Sequence, residues 1–338
     1  MSTDGSVEGR DSWGWGFVGP GGIARAYAEA LELVPGGELV AVTSRRLERA
    51  ARFAAEVRPG GDVTAYDDVA AMVADPRVDV VYVATPHPQH LAPALAAIGA
   101  GKAVVVEKPM TASAAATARL VATAAERGVF CMEAYWTRFL PATAALLEVV
   151  GSGAIGEVRM IHADLGFPAP SSLRRFHEVE LGGGSLLDLG PYPLGLAHEL
   201  LGAPDRVRAL GTITADGLDE QVSIALGWPG GALAALSTTM VAQAARGAWI
   251  EGTAGWIEAH APLYSLSGFT VRDHDGRADR YEHAVATGHR FLVEHVHDCL
   301  AAGLTESPHV PGQRSIDLAR VMDDVLTQIG AARPDDGS

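Results

Sequence analysis

A glycine-rich turn near the start of the chain constrains the fold more than any other feature. It separates an apolar segment, residues 15–18, from a helical pattern over residues 24–33, and it reads Gly19-Pro20-Gly21-Gly22-Ile23-Ala24. The spacing G-x-G-x-x-A between a strand and a helix provides a tight turn, close backbone approach and free N–H groups at a helix N-terminus, which are what a pyrophosphate requires. The sequence therefore predicts a dinucleotide-binding turn; the alternative is a glycine-rich turn without a ligand.

Strand and helix patterns continue to alternate up to residue 133. Further strands are predicted over residues 38–43, 79–84, 103–106 and 129–132, and helices over residues 91–100 and 111–127. This alternation is typical of a right-handed, doubly wound parallel sheet.

The end of the second strand indicates which dinucleotide is bound. An NAD site places an acidic residue about 20 residues beyond the glycines to hold the ribose hydroxyls. Here Ser44 and Arg45 follow the strand, and Arg49 lies one turn into the next helix. Guanidinium groups suit a 2′-phosphate, so the sequence favours NADP over NAD. The alternative is a solvated basic helix surface.

The strand over residues 103–106 leads directly into Glu107-Lys108-Pro109. Ligands of open α/β sheets bind outside the carboxyl ends of the strands, which makes Lys108 a candidate site residue. Of 26 basic residues, two are lysines, Lys102 and Lys108. Lysine is a compact charge whose pKa moves on burial, whereas guanidinium stays protonated and planar. Lys108 is therefore a candidate catalytic residue; the alternative is chance retention.

A proline- and histidine-rich loop follows the strand over residues 79–84, at the same edge of the sheet: Thr85-Pro86-His87-Pro88-Gln89-His90. His87 and His90 are candidates to line a cofactor or substrate, and the alternative is a structural role for both. We predict no metal site, because the pattern suggests no third ligand.

The second half of the chain has a different rhythm. After a predicted helix over residues 134–150, strands are predicted over residues 157–167, 207–214, 220–227, 232–241, 248–251, 256–259 and 269–273, with closing helices over residues 287–302 and 313–330. Successive strands without long helices between them indicate a mainly antiparallel sheet, with one face covered and the other available for a partner.

A second chemical stretch begins at Gly182-Gly183-Gly184 and ends at Tyr192. Asp188 and Tyr192 are four residues apart, a spacing that places both on one face of a helix. Pro191 and Pro193 interrupt helical hydrogen bonding, so a kink or two short segments is expected near Gly190. The alternative for Tyr192 is a half-buried packing residue.

These stretches together resemble the Gfo/Idh/MocA family of nicotinamide-dependent oxidoreductases. The glycine turn, the Glu107-Lys108-Pro109 triplet and the stretch over residues 182–192 match its three signatures in order and spacing. The loop over residues 87–90 and the segment over residues 132–141 are most similar to the branch of dimeric trans-dihydrodiol dehydrogenase and NADP-dependent D-xylose 1-dehydrogenase. Many relatives carry histidine where this chain has Tyr192.

The resemblance implies a role for each matching residue. Lys108 and Tyr192 would be the catalytic pair, with Asp188 beside them, and Trp136 and Arg138 would join these three at the substrate. Ser44, Arg45 and Arg49 would hold the adenosine phosphate. The glycine turn and a further set would contact the rest of the cofactor: Thr85, Pro86, His87, His90, Glu107, Lys108, Glu133 and Arg175, or Arg174 with a one-residue shift.

The expected fold class is α/β: an N-terminal Rossmann domain with a doubly wound parallel sheet, and a C-terminal α+β domain with a mainly antiparallel open sheet. The expected division is a disordered segment 1–12, the dinucleotide domain 13–133, a substrate and dimerisation domain 134–311, and a closing helix 312–332. The tail from residue 333 is also expected to be disordered. The resemblance implies a homodimer or higher oligomer through the C-terminal sheet.

Composition restricts the classes of partner and the cell compartment that we expect for this protein. A net charge of −15 argues against nucleic acid, which would be repelled. Residues 1–12 lack the apolar segment of a signal peptide, and no apolar run approaches the ~20 residues of a spanning helix. Cys131 and Cys299 form no metal or disulfide spacing, so we expect reduced thiols in a cytoplasmic protein.

The predicted reaction is hydride transfer between nicotinamide C4 and a carbinol or carbonyl carbon of a sugar, polyol or dihydrodiol. The Lys108 ammonium is expected to lower the pKa of Tyr192, and Asp188 to balance the lysine charge. The histidines and arginines near the site favour a polar ligand. The alternative function is a catalytically silent NADP-binding sensor or regulatory protein.

Overall fold

The structure of the chain is a computed structural model that describes residues 12–336. Except for Ser12, the N-terminal segment predicted to be disordered lies outside the described residues. Two β-sheets organise the chain, one of six strands and one of eight. No helix within residues 12–336 has both the length and the apolar character needed to cross a bilayer.

The N-terminal sheet is entirely parallel, with strand order β3-β2-β1-β4-β5-β6. Its strands are β1 (Trp13–Val18), β2 (Gly37–Thr43), β3 (Thr64–Tyr66), β4 (Val80–Val83), β5 (Ala103–Val106) and β6 (Cys131–Glu133). The connecting helices are α1 (Gly22–Leu31), α2 (Leu47–Val57), α3 (Val69–Val73), α4 (Leu91–Gly99) and α5 (Ala114–Arg127). The predicted doubly wound parallel sheet is confirmed.

Both faces of this sheet are buried, because alternate side chains of each strand point to opposite sides. In β4, Tyr82 belongs to the cluster that includes Tyr27 of α1, while Val81 and Val83 belong to a second cluster with Leu91 of α4. This arrangement leaves the carboxyl ends of β1, β4 and β5 at one edge, where the glycine turn and Lys108 follow them.

Strand β3 and helix α3 were not predicted from the sequence. Strand β3 is only three residues long, and all three are half-buried, so it carries no apolar alternation. Its length falls below the range in which periodicity identifies a strand.

The C-terminal sheet has the order β14-β13-β12-β11-β7-β10-β9-β8, and all its neighbours are antiparallel except β7 and β10. Its strands are β7 (Val158–Gly166), β8 (Arg206–Ile213), β9 (Asp219–Gly227), β10 (Leu233–Thr239), β11 (Ala248–Gly252), β12 (Gly255–Ala259), β13 (Gly268–Asp273) and β14 (Ala278–Glu282). The predicted mainly antiparallel sheet is confirmed, but the sequence analysis missed the edge strand β14, which is mostly exposed and polar.

Helices cover one face of this second sheet. The helices of this half of the chain are α6 (Pro141–Gly151), α7 (Arg174–His177), α8 (Ser185–Leu189), α9 (Pro191–Leu201), α10 (His289–Ala301) and α11 (Gly312–Ile329). Helix α8 packs on β9 and β10, α9 on β7 and α11 on β8. In β10, buried and more exposed residues alternate, as expected for a sheet with one covered face.

Two predictions of local structure were wrong. The helix predicted over residues 134–150 is instead a 3-10 turn, Trp136–Phe139, followed by α6, which begins at Pro141 because proline cannot continue a helix from the preceding turn. The tail from residue 333 is not disordered over residues 333–336. There Arg333 donates to the Asp323 carbonyl oxygen at 2.5 Å, and Asp336 is buried.

Candidate active site

The glycine turn forms the start of an anion-binding helix terminus. Gly19 has a φ of +93°, and a Cβ there would lie 2.8 Å from the Ala84 carbonyl oxygen, so glycine is required. At Gly21 and Gly22 nothing lies within 4 Å of the position a Cβ would take. Gly21 precedes α1 without any side-chain cap, which leaves the first N–H groups of the helix available to a pyrophosphate.

An outer cavity of about 760 Å³ lies beside this turn. Neither the Arg45 nor the Arg49 guanidinium forms an ion pair with any other residue of the range 12–336, so both are available to an anionic ligand. The three residues predicted to hold the adenosine phosphate, Ser44, Arg45 and Arg49, line this cavity. Five residues predicted to contact other parts of the cofactor line it as well: Gly19, Pro20, Gly21, Thr85 and Pro86.

An inner cavity of about 660 Å³ continues from the outer one, and the two share Gly21, Ala84, Thr85 and Pro86 in their walls. Most of the remaining predicted site residues line it: Gly22, Ile23, His87, Glu107, Lys108, Trp136, Arg175, Asp188 and Tyr192. The two cavities together form one cleft with Arg45 and Arg49 at its outer end and Lys108 at its inner end, and the residues present fit an extended dinucleotide.

Lys108 and Asp188 form a buried ion pair in the inner cavity. The Lys108 ammonium donates to the Asp188 carbonyl oxygen at 2.6 Å and to Oδ1 at 3.0 Å. Burial is the largest single effect and would lower the pKa of Lys108, but the charges of Asp188, Tyr192 and Glu107, with the hydrogen bond to Asp188, together raise it. Burial likewise opposes ionisation of Asp188, whose pKa is nonetheless lowered by Lys108 and Arg175. Both groups are therefore charged at neutral pH.

The three glycines shape the helix that carries Asp188. Gly184 has a φ of +105°, and a Cβ there would lie 2.0 Å from Asp219 Oδ1. The Asp219 carboxylate accepts hydrogen bonds from Ser185 Oγ at 2.9 Å and from Leu186 N at 2.7 Å. Asp219 was missed by the sequence analysis, because its partnership with residues 33 and 34 positions away follows only from the fold.

The predicted interruption near Gly190 is confirmed. Helix α8 ends at Leu189, α9 begins at Pro191, and Gly190 between them keeps helical dihedral angles. Tyr192 consequently stays on the side of Asp188, and the Lys108 nitrogen lies 5.1 Å from the centre of the Tyr192 ring.

The Lys108 ammonium acts on Tyr192 in the predicted direction, but the pKa of Tyr192 is raised overall. Burial raises the pKa of Tyr192, and the Lys108 ammonium lowers it by less than burial raises it. The reason is that Asp188 neutralises much of the lysine charge, while the phenol itself has left water. Tyr192 is therefore protonated at neutral pH.

Two further titratable groups lie in the same wall. Burial raises the pKa of Glu107 to about 7, with partial offsets from the Tyr82 hydroxyl and from Lys108. Burial lowers the pKa of His87 to about 3, so this imidazole is neutral. Between the two arginine alternatives, Arg175 Nη2 lies 3.5 Å from Asp188 Oδ2, whereas Arg174 is paired with Glu178.

Three predicted site residues are not among those lining the cleft. His90 is fully buried, with Nδ1 3.1 Å from the Pro109 carbonyl oxygen and Nε2 2.8 Å from that of Thr85, so it joins two loops. The Glu133 carboxylate accepts from Met110 N and Ser315 Oγ, and Arg138 pairs with Glu199. Their side chains are occupied by these internal partners.

The cleft also contains residues that the sequence analysis did not identify. An apolar wall of Leu165, Phe167, Leu181, Leu189 and Tyr264 faces the inner cavity, beside the polar groups that were predicted. Asp67, Asp68 and Asp336 line the outer cavity. The two adjacent aspartates follow β3, and their position was not predictable once that strand was missed.

A dinucleotide cleft that ends at a buried lysine, aspartate and tyrosine defines a nicotinamide-dependent oxidoreductase. A model of an oxidoreductase family with an NAD-binding Rossmann fold matches residues 13–135, and the GFO/IDH/MocA C-terminal domain matches residues 143–258. The chain belongs to the Gfo/Idh/MocA family and is an NAD(P)-dependent oxidoreductase.

Relatives with assigned activities resemble the whole chain. It is 36% identical to trans-1,2-dihydrobenzene-1,2-diol dehydrogenase of Mus musculus, over 95% of this chain and 98% of that protein. A solved aldose-aldose oxidoreductase from Caulobacter crescentus is similar with a TM-score of 0.85 and 26% identity, covering 94% and 97% of the two chains. A solved 3-ketoreductase from Actinomadura kijaniata, in complex with NADP and TDP-benzene, is similar with a TM-score of 0.82 and 26% identity, covering 96% of this chain and 99% of that chain.

Proposed function

We propose that this chain uses NADP to interconvert a secondary alcohol and a carbonyl group on a small cyclic polyol, sugar or dihydrodiol, with Lys108, Asp188 and Tyr192 as its catalytic residues. One observation carries the proposal: the buried Lys108–Asp188 pair and Tyr192 lie in a cavity continuous with the glycine turn. The presence of both lysine and tyrosine there favours catalysis over a silent sensor.

The cofactor would lie along the cleft, with its adenosine phosphate near Ser44, Arg45 and Arg49, its pyrophosphate at the glycine turn, and its nicotinamide in the inner cavity. When bound, the nicotinamide supplies the hydride chemistry. The chain holds the dinucleotide, shields the inner cavity from water and handles the proton of the reacting oxygen.

Lys108 and Tyr192 divide the work on the reacting oxygen. Because Asp188 keeps Lys108 protonated, the ammonium acts as a fixed positive charge that stabilises negative charge developing on that oxygen. Tyr192, protonated at neutral pH, donates its proton to the oxygen during carbonyl reduction and recovers it during alcohol oxidation. Alcohol oxidation should therefore accelerate at alkaline pH, where the phenolate is more populated.

The inner cavity favours a ring with one apolar face. Trp136, Phe167 and Tyr264 supply flat aromatic walls, whereas the charged groups gather at Lys108 and Asp188. Aromatic surfaces stack on the C–H faces of cyclic substrates, while hydroxyl groups turn to the polar side. This wall supports a cyclic sugar or dihydrodiol more than an open-chain polyol. The names of the relatives are consistent with that choice.

The test is to screen aldoses, inositols and trans-dihydrodiols with NADP and follow the absorbance of reduced nicotinamide. We expect turnover with at least one cyclic substrate and loss of it in Tyr192→Phe, which keeps the ring but removes the acidic hydroxyl. Tight NADP binding without turnover on any member of the panel would support the sensor function instead.

The remaining expectations are part of the same proposal. Residues 13–133 bind the cofactor, and residues 134–311 provide substrate contacts and the dimer interface. Residues 312–332 form the C-terminal closing helix, and the protein is cytoplasmic.

The uncovered face of the C-terminal sheet supports a homodimer: Leu210 is 80% exposed, and Trp249 and Trp256 are half-buried there. Ala235→Arg, at the centre of this face, should give a monomer by light scattering, whereas Ala115→Arg on α5 should not.

A further inference from the structure

Glu107 is a buried carboxylate in the wall of the inner cavity that the mechanism above does not use. Its side chain is only 6% exposed. Oε1 accepts a hydrogen bond from the Tyr82 hydroxyl at 2.7 Å, and Oε2 accepts one from the Lys108 backbone N–H at 3.1 Å. Within the described residues, no ammonium, guanidinium or imidazole lies at ion-pair distance from it. A carboxylate buried without a direct cationic partner is costly, so a positive ligand would be its natural complement.

The surroundings hold this carboxylate firmly in place. Tyr82, its hydrogen-bond donor, is fully buried in β4 and packs against the Tyr27 ring at 4.4 Å. The titratable groups around Glu107 are Tyr82, Tyr27 and Tyr192, all protonated, together with the charged Lys108 and Asp188. Lys108 and Arg175 carry two positive charges against the one negative charge of Asp188, but both are paired with Asp188, and neither forms an ion pair with Glu107.

The pKa of Glu107 lies close to neutral pH. Burial raises its pKa to about 7, so neither protonation state dominates strongly at neutral pH. A change of one charge nearby is therefore enough to move a proton onto or off this group. Asp188 cannot serve in this way, because Lys108 and Arg175 lower its pKa and keep it ionised.

We propose that Glu107 is the charge partner of the nicotinamide, favouring the oxidised, positively charged ring and taking up a proton when the ring becomes neutral. This inference rests on the proposed cofactor site, whose nicotinamide end is the inner cavity that Glu107 lines with Gly22 and Ile23. It assigns a role that neither proton transfer at the substrate nor cofactor positioning requires.

The proton balance follows from the overall reaction. Alcohol oxidation breaks the carbinol C–H bond, transfers the hydride to the oxidised ring and passes the hydroxyl proton through Tyr192 to solvent. As the positive charge of the ring disappears, Glu107 becomes a stronger base and binds one proton from solvent. In reduction, Glu107 releases that proton while the ring regains its charge. The carboxylate that this release ionises stabilises the positive charge that hydride donation leaves on the ring.

The experiment is calorimetric titration of NADP⁺ and NADPH into the whole protein at pH values around neutrality, in buffers that differ in ionisation enthalpy. The wild type should take up more protons with NADPH than with NADP⁺. In Glu107→Gln this difference should disappear, and the Kd for NADP⁺ should rise about tenfold relative to that for NADPH, about 30 mV in the potential of the bound couple. Circular dichroism verifies folding of the variant.

Tyr82→Phe is a second variant that keeps the carboxylate and removes its strongest donor. It should move the pH dependence of the Kd ratio to higher pH, since the ionised form loses a hydrogen bond. If Glu107→Gln weakens both nucleotides equally, or if Tyr82→Phe leaves the pH dependence unchanged, Glu107 has only a structural role. Failure of the wild type to bind either nucleotide would instead overturn the cofactor site itself.

Discussion

Lys108 donates to two oxygens of one residue, the carbonyl and the carboxylate of Asp188. The other lysine, Lys102, also donates to carbonyl oxygens, those of Val78 at 2.7 Å and Asp75 at 3.4 Å, but away from the cleft. The small number of lysines therefore points to one site residue, Lys108, and one structural residue, Lys102. What distinguishes Lys108 is its place at the end of β5, in the wall of the inner cavity.

Replacement of Lys108 by arginine tests the need for a compact charge. The planar guanidinium is larger and cannot occupy the same point beside Asp188 and the reacting oxygen. We expect kcat to fall by about 10²- to 10⁴-fold, while the Kd for NADP changes little. Steady-state kinetics with nucleotide binding measured separately provides the test. Lys102→Arg is the matched control and should retain kcat, and an unchanged kcat in Lys108→Arg would exclude specific lysine chemistry.

The pKa of Glu107 predicts a pH-dependent contribution to stability. Its pKa is raised from 4.5 to about 7, so the folded chain holds the proton more tightly than the unfolded chain. This contribution is fully present below about pH 4.5 and is lost as the pH rises through 7, a change of roughly 3 kcal/mol. Buried histidines such as His87, with lowered pKa values, act in the opposite direction as the pH falls below 6.5.

The measurement is therefore a comparison of urea unfolding of wild type and Glu107→Gln at several pH values. Relative to the wild type, the variant should gain stability as the pH rises from about 4.5 to about 8, because it lacks the titrating group. A constant difference between the two proteins over this range would contradict the raised pKa.

Among the elements, the junction of β2 and α2 decides the cofactor. Arg45 and Arg49 line the outer cavity, whereas Arg52, one turn further along α2, does not. The double variant Arg45→Ala with Arg49→Ala should raise the Kd for NADP by about ten- to a hundredfold and leave that for NAD nearly unchanged. Fluorescence titration measures both. Arg52→Ala should alter neither Kd, and an equal loss for NADP and NAD in the double variant would refute 2′-phosphate recognition.

A buried group of four charges joins α9, α11 and the end of the N-terminal sheet. Arg314 Nε lies 2.8 Å from Glu199 Oε1 and Nη1 lies 3.5 Å from Glu133 Oε2, while Arg138 pairs with Glu199 at 2.9 Å. The guanidinium of Arg314 also lies 4.1 Å from the centre of the Tyr135 ring, which packs beside Tyr192. This group explains why Glu133 and Arg138 are absent from the cleft.

Removing Arg314 should therefore be severe. Arg314→Leu leaves two buried carboxylates with too little positive charge, and we expect a loss of about 3–5 kcal/mol in the free energy of unfolding. Arg320→Leu on the same helix removes an exposed ion pair with Asp317 and should cost no more than about 1 kcal/mol. Denaturant unfolding distinguishes the two, and equal effects would mean that burial of the group adds nothing.

Elements with a strong apolar pattern were predictable, and the failures have physical causes. The strands around the glycine turn, Lys108 and β7 are long or fully buried, so their periodicity was sufficient. Strand β3 has only three residues, and Pro141 starts a new helix within an alanine-rich segment whose composition favours one continuous helix. His90, Glu133 and Arg138 were predicted as site residues from their polar or charged side chains. Most of their actual partners are distant in sequence, and Ser315, for example, donates to the Glu133 carboxylate.

At the scale of the molecule, the site exists only where the two sheets meet. The N-terminal sheet supplies the glycine turn, Glu107 and Lys108, while the C-terminal half supplies Asp188, Tyr192 and the apolar wall. Spacing along the chain predicted the site residues of each half separately, and the family resemblance predicted that the two sets lie together. The apolar wall was not predictable, because Leu165, Phe167 and Tyr264 lie in segments without any signature of chemistry.

Lys108 and Tyr192 are proposed to assist hydride transfer from a carbinol carbon to NADP within this cleft. The most direct measurement uses a cyclic substrate from the screen, deuterated at its carbinol carbon, followed by mass spectrometry of the reduced cofactor. The wild type should yield reduced cofactor carrying the deuterium, and Tyr192→Phe and Lys108→Arg should yield it far more slowly with nucleotide still bound. Reduced cofactor without deuterium, or equal rates in all three proteins, would contradict the account.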